Sequence, residues 1–202
     1  MLATRMQHDV DAIRRQVLAR SLSAEDMPHG AEIYPFYPIQ LDCGQSKHGH
    51  LVSVDPVGQL RLREVMREVG PEKMFEFMIG VSELRQIIMD EVSVESGHLV
   101  QSVQVKDLHG LSMSMLKDPK AVSTLQAIIS TCTSMYPESL ACVYIINAPF
   151  FFPMVWTVIS RFINERTQRK VRVLGRDYEE TLREEISDDV VQVIRDLHTD
   201  AR

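Results

Sequence analysis

Tyr136-Pro-Glu-Ser-Leu-Ala-Cys-Val-Tyr-Ile-Ile-Asn-Ala-Pro-Phe-Phe-Phe-Pro-Met-Val-Trp156, continuing Thr157-Val-Ile-Ser-Arg-Phe-Ile163, changes its period once, and that change decides the fold. Val143-Tyr-Ile-Ile146 is short and almost wholly apolar, the pattern of a strand buried on both faces. Pro153 to Ile163 then reads as a helix that is apolar nearly all the way round. Upstream, Asp118-Pro119 supplies a cap and a proline at the first helical position, opening a helix that stops before Tyr136-Pro137. Helix, buried strand, helix is the unit of a parallel α/β sheet with crossover connections.

The same alternation extends outward. Leu51-Val-Ser-Val54 reads as a strand, and Leu60–Val69 and Glu72–Val94, split at Gly70-Pro71, read as helices with apolar residues three and four apart. Leu99–Val105 and Val171–Leu174 supply two more strands. Tyr178–Ile186 and Asp189–His198 are acidic helices expected at the sheet's edge. Ahead of the sheet, Met6, Val10, Ile13 and Val17 mark an amphipathic helix over 5–20. Met27 to Gly49, with Pro28, Gly30, Pro35, Pro38 and Gly44, reads as an irregular connector. Residues 1–32 are therefore expected to be a helical extension and linker, and 33–202 one α/β domain.

Composition bounds the function. The chain has 202 residues, 45% hydrophobic and 25% charged, which suits a globular core held without disulfides or a structural metal. A net charge of −6 argues against a chain built to coat nucleic acid. Cys43, Cys132 and Cys142 have no Cys-x-x-Cys spacing, which suits a reducing cytosol. No stretch approaches the roughly 20 apolar residues of a bilayer span, and Met1 to Ser23 lacks the apolar centre of a secretory signal, so a cytoplasmic protein is expected.

Two adjacent features carry chemistry. Phe150, Phe151, Phe152 and Trp156 belong to a segment that must be covered on both faces, either by protein or by an apolar ligand or bilayer surface. Directly after it, Arg161 to Arg176 holds six basic side chains against Glu165, followed by a markedly acidic C-terminus. That run is either a solvated face neutralised by the following helices or a site for phosphate beside an apolar entrance. His48 and His50, in a Gly-rich connector with Asp42 and Asp55 as local carboxylates, read as loop residues, not metal ligands. Asp107 and His109 read as turn residues, since no nucleophile elbow or phosphate loop accompanies them. Met113 and Met115 read as core filler. No metal, cofactor or catalytic residue is expected.

The stretch from Tyr136 to Pro149, with Gly97-His-Leu-Val100, Asp107-Leu-His-Gly-Leu-Ser112, Phe162, Thr167, Lys170, Val173-Leu-Gly175 and the Ile33-Tyr-Pro35 opening, resembles the CRAL-TRIO lipid-binding domain over about residues 33–186. The resemblance implies a mostly parallel, curved sheet flanked by helices, with an apolar lipid pocket closed by a mobile gate helix. It assigns the gate to Pro153–Ile163 with Phe150, Phe151 and Phe152, the pocket side including Val155, Trp156 and Ile159, with Ser102 on the second strand. In the phosphatidylinositol-binding branch the headgroup residues fall here on Glu138, Thr167 and Lys170. The resemblance thus implies non-enzymatic binding, transfer or presentation of phosphatidylinositol, with transient contact at a membrane surface.

The family pattern is not matched throughout. Asn164-Glu165 stands where the gate loop usually reads Asp-Pro, and Ser82 stands where a tyrosine is expected before Glu83. A Gly-Gly-ending segment is not found after the last helix, and about thirty residues precede the Tyr-Pro opening where a larger helical domain is usual. The last two departures support a second reading, a protein-interaction or regulatory module on the same fold that has lost lipid exchange.

Overall fold

The computed structural model describes residues 5–6, 9–18, 23–113, 118–136 and 138–199. Positions 7–8 and 19–20 of the expected helix over 5–20, with Met115 and Pro137, lie outside them. Four parallel strands run in sequence order across one sheet: β1 (Leu51–Asp55), β2 (Ser102–Asp107), β3 (Leu140–Ile146) and β4 (Val171–Val173). Parallel neighbours need crossovers, and the helices supply them.

Between β1 and β2 come α3 (Leu62–Glu68) and α4 (Pro71–Ser96), following α1 (Val10–Leu18) and the single turn α2 (Gly30–Ile33). Pro71 opens α4, and Gly97 at φ 70° closes it, its N–H donating to the Ser93 carbonyl at 3.0 Å. Between β2 and β3 lies α5 (Pro119–Met135), started by Asp118, whose carboxylate accepts the N–H groups of Lys120 and Ala121. Helix α6 (Phe152–Ile159), a 3-10 turn at Ser160–Phe162 and the single turn α7 (Glu165–Gln168) join β3 to β4. The chain ends in α8 (Glu179–Glu185) and α9 (Asp188–Thr199).

Period-two alternation gives the sheet two unlike faces. Val52, Val54, Val103, Val105, Tyr144 and Ile146 pack against Leu182, Ile186, Val190, Val191 and Ile194. Helices α8 and α9 therefore cover a whole face and do not sit at the edge as the sequence suggested. The stripe on α9 needs a broad apolar surface, and the valine rows of β1 and β2 provide it. On the other face, α6 lies over β3, while α4 and α5 reach across β1 and β2. Helix α1 docks on α4 through Val10, Ile13 and Val17, all buried in the largest apolar cluster. Strand β2 begins three residues later than the apolar run suggests, because its ladder starts where Leu51 meets Ser102.

Candidate functional site

Helix α6 is apolar on both sides, and the structure separates the two. Phe152 and Val155 are buried with Val143, Ile145 and Leu108, and Phe151, Trp156 and Ile159 pack partly against them. Phe152 and Trp156 stack at 6.2 Å between ring centroids. Phe150, Met154 and Val158, four residues apart, form a line turned to solvent, with Phe150 96% and Met154 62% exposed. Phe150 stands in the turn just before α6 with its side chain in solvent, whereas Phe152 of the same triplet is buried.

The polar rim lies where β3 and β4 begin. Asn164 caps α7 by accepting the Thr167 N–H at 2.8 Å, and the Thr167 carbonyl accepts the Lys170 N–H at 3.0 Å. That turn delivers Lys170 to the start of β4, where its ammonium donates to the Leu140 carbonyl on β3. One of three ammonium protons is used in that bond. Glu138, in the loop before β3, holds φ 65°, a left-handed conformation uncommon for a residue with a side chain. Its carboxylate meets Arg166 of α7 at 2.6 Å. Glu138 and the 164–170 turn are therefore neighbours, joined by a residue the sequence reading counted only as part of the basic run. The signal for Arg166 was its position four residues before Lys170.

The basic run is only partly paired. Arg166 pairs with Glu138 and Arg169 with Glu165, whereas the acidic helices pair with their own arginines, Arg183 with Glu179 and Asp188, and Arg195 with Glu179. Among the described residues, two of the six cations of the run pair with nearby carboxylates, and no ion pair joins the run to α8 or α9. The Glu138–Arg166 pair is largely exposed on both sides, so it is weak and exchangeable.

The remaining candidates have structural contacts. The buried Asp107 carboxylate accepts the His109 N–H at 2.9 Å and the Asn147 amide at 2.8 Å, tying the ends of β2 and β3 together. His50 accepts the Gln101 N–H at 3.3 Å, and burial lowers its pKa. Ser102 is buried and accepts from the Gln104 amide at 3.1 Å. Burial raises the thiols of Cys43, Cys132 and Cys142, the first to about 11, so none is an activated nucleophile. Among the described residues no group of three or more His, Cys, Asp or Glu side chains could hold a metal. Nor is any described helix long and apolar enough to cross a membrane.

The candidate site is thus a parallel sheet roofed by a helix with hydrocarbon on both sides, with Glu138, Arg166 and Lys170 together where β3 and β4 begin. Residues 39–194 match the CRAL/TRIO domain, and the chain belongs to that family of lipid-binding and transfer modules. It is 31% identical over 190 residues to a CRAL-TRIO domain-containing protein of Caenorhabditis elegans, spanning 91% of this chain and 24% of that one. Identity is also 31% over 156 residues to the SEC14 cytosolic factor of Yarrowia lipolytica, 75% of this chain and 30% of that protein. To Protein real-time of Drosophila melanogaster it is 29% over 178 residues, 87% and 25% of the two chains. The chain thus spans between 24% and 30% of the length of these three relatives. A solved structure titled crystal structure of Sfh5 shares the fold, with a TM-score of 0.63 at 24% identity over 89% of this chain and 63% of that one.

Proposed function

We propose that the protein binds phosphatidylinositol without chemical turnover, carrying or presenting it in the cytosol and touching membranes only in passing. The observation that carries this reading is the placement of α6: one face on the sheet, the other face bare, beside Glu138 and Lys170. Moving acyl chains between bilayer and recess is nearly neutral, whereas exposing them to water costs about 0.8 kcal/mol per CH₂. A lid that touches sheet, chains and bilayer in turn needs apolar residues all round, as α6 has. Lys170 offers its two remaining donors to phosphate, the Thr167 hydroxyl adds another, and Glu138 accepts from inositol hydroxyls once a ligand phosphate draws Arg166 away. Match to a relative named as a cytosolic factor supports the location.

A vesicle transfer assay tests this. Wild-type protein is expected to take up phosphatidylinositol, with Trp156 fluorescence changing as α6 moves, and Lys170→Ala to lose about tenfold in uptake, the worth of a charge-assisted bond. Unchanged uptake by the variant removes the headgroup assignment, and no uptake by wild type removes carriage. One observation favours the protein-interaction reading instead: Lys170 and Glu138 already have partners within the chain. Native mass spectrometry separates the two, since a retained phospholipid mass belongs only to a carrier.

A further inference from the structure

The floor beneath α6 and α4 is hydrocarbon on one side only. Register sets Ser53 beside Gln104 beside Val143, and Asp55 beside Lys106 beside Ile145. The β3 half meets Phe152 and Val155. The β1 and β2 half carries Ser53, Asp55, Gln104 and Lys106 under Arg85 of α4. Asp55 is 1% exposed; Lys106 donates to its Oδ2, and Arg85 Nη2 stands 3.7 Å from its Oδ1. Glu83, the next carboxylate on α4, is taken by Arg5, Arg14 and the Tyr136 hydroxyl. The cluster therefore holds two cations against one carboxylate.

Three buried atoms in it have no hydrogen-bond partner: Ser53 Oγ, Asp55 Oδ1 and Arg85 Nε. Buried polar atoms are normally satisfied; Asp55 Oδ1 at least faces Arg85 Nη2, whereas Ser53 Oγ and Arg85 Nε are donors that call for an acceptor between them. Lys106 shows where such a group enters. Desolvation lowers its pKa to about 8, yet 29% of its side chain is reachable from solvent.

We propose that, once α6 lifts from β3, this cluster receives a long-chain monocarboxylate, its carboxylate held by Lys106, Arg85 and the Ser53 hydroxyl and its chain lying over Val143 and Ile145 in the place that Phe152 and Val155 leave. One surplus positive charge matches one monoanion, and an arginine edge with a free Nε suits a two-oxygen planar anion. The inference rests on the reading that the space under α6 takes a ligand, but not on Glu138, Thr167 or Lys170. Its consequence is that an acid enters charged end inward, across β1 and β2, while a headgroup at Lys170 stays at the other side of the sheet.

Parinaric acid, an 18-carbon fluorescent carboxylate, and its methyl ester provide the test on the full chain. Wild type is expected to bind the acid at least tenfold more tightly than the ester, and Lys106→Met, which leaves Arg85 and Asp55 balanced, to bind the two alike. Equal binding of acid and ester by wild type overturns the proposal, and this comparison stands even if the variant fails to fold. A preference that survives in folded Lys106→Met overturns the assignment to this cluster. Failure to bind either probe while phosphatidylinositol is still taken up overturns the carboxylate alone; failure with both lipids overturns the carrier reading as well.

Discussion

The bare face of α6 gives the sharpest prediction, tested by Phe150→Ser combined with Met154→Ser. A phenylalanine side chain buries about 150–250 Å² when covered, worth roughly 5 kcal/mol at about 25 cal/mol/Å². Phe150 is 96% exposed, so nearly all of that area is available to a bilayer, and Met154, 62% exposed, adds more. Peripheral docking covers about half of such a surface, so the double variant should lose about 3 kcal/mol of membrane affinity, near a hundredfold in partition onto vesicles. Folding should scarcely change. Phe150 touches Phe151 edge to face at 5.5 Å, a contact worth about 1 kcal/mol at most on an exposed surface. Phe152→Ala, by contrast, empties a packed site and should cost about 3–5 kcal/mol in unfolding free energy. Vesicle cosedimentation read alongside urea unfolding distinguishes the two faces. Unchanged partition would refute contact through this face, and a stability loss equal to that of Phe152→Ala would show the outer residues to be packed.

Three further outcomes follow from buried groups. Glu83→Gln should destabilise the protein by about 3 kcal/mol in urea unfolding, because a fully buried carboxylate holds Arg5 and Arg14 from the N-terminal segment; a loss below about 0.5 kcal/mol would mean the segment is not fastened there. Gly58→Ala should cost about 2–3 kcal/mol, since its Cβ would fall 2.0 Å from the His109 carbonyl oxygen, and an unchanged midpoint would disprove that approach. Lys106 faces Asp55 on β1, Arg85 on α4 and Cys132 on α5, and its lowered pKa means that the unfolded chain binds more protons between about pH 8 and 10.5. Its contribution to stability should therefore rise with pH across that window, and a dimethyl-lysine NMR signal should titrate near 8 and vanish in Lys106→Met. A signal titrating near 10.5 would show the site to be wet.

How much of this was legible in sequence depends on whether a feature is local. Strands and helices were, because period two gives way to period 3.6 at Asn147 and again at each crossover, and Asp118, Gly70-Pro71 and Gly97 mark their ends. The double-sided apolarity of α6 was legible too, though not which residues face which way, since Phe150, Phe151 and Phe152 are alike in composition and differ only in how the turn into the helix places them. Glu138 and Lys170 came from motif likeness; their proximity to Arg166 arises only when β3 and β4 pair and bring two turns together.

The charged floor shows the limit most clearly. Ser53 and Asp55, like Gln104 and Lys106, alternate with valines, and such alternation ordinarily marks a strand with one face in water. Here the valine rows of both strands are claimed by α8 and α9, which come last in the chain, so the polar rows are turned beneath α4. Nothing within either strand can reveal this, because the choice of covered face is made more than seventy residues downstream of β2. Once the C-terminal helices dock, Asp55, Lys106 and Arg85 must share one dry space, and the unmatched positive charge follows from topology as much as from the residues themselves. Docking of α8 and α9 on the valine rows thus turns the polar rows beneath α4, and a variant that loosened α4 through Leu84 or Ile87 would be expected to wet them and raise the Lys106 pKa toward its ordinary value.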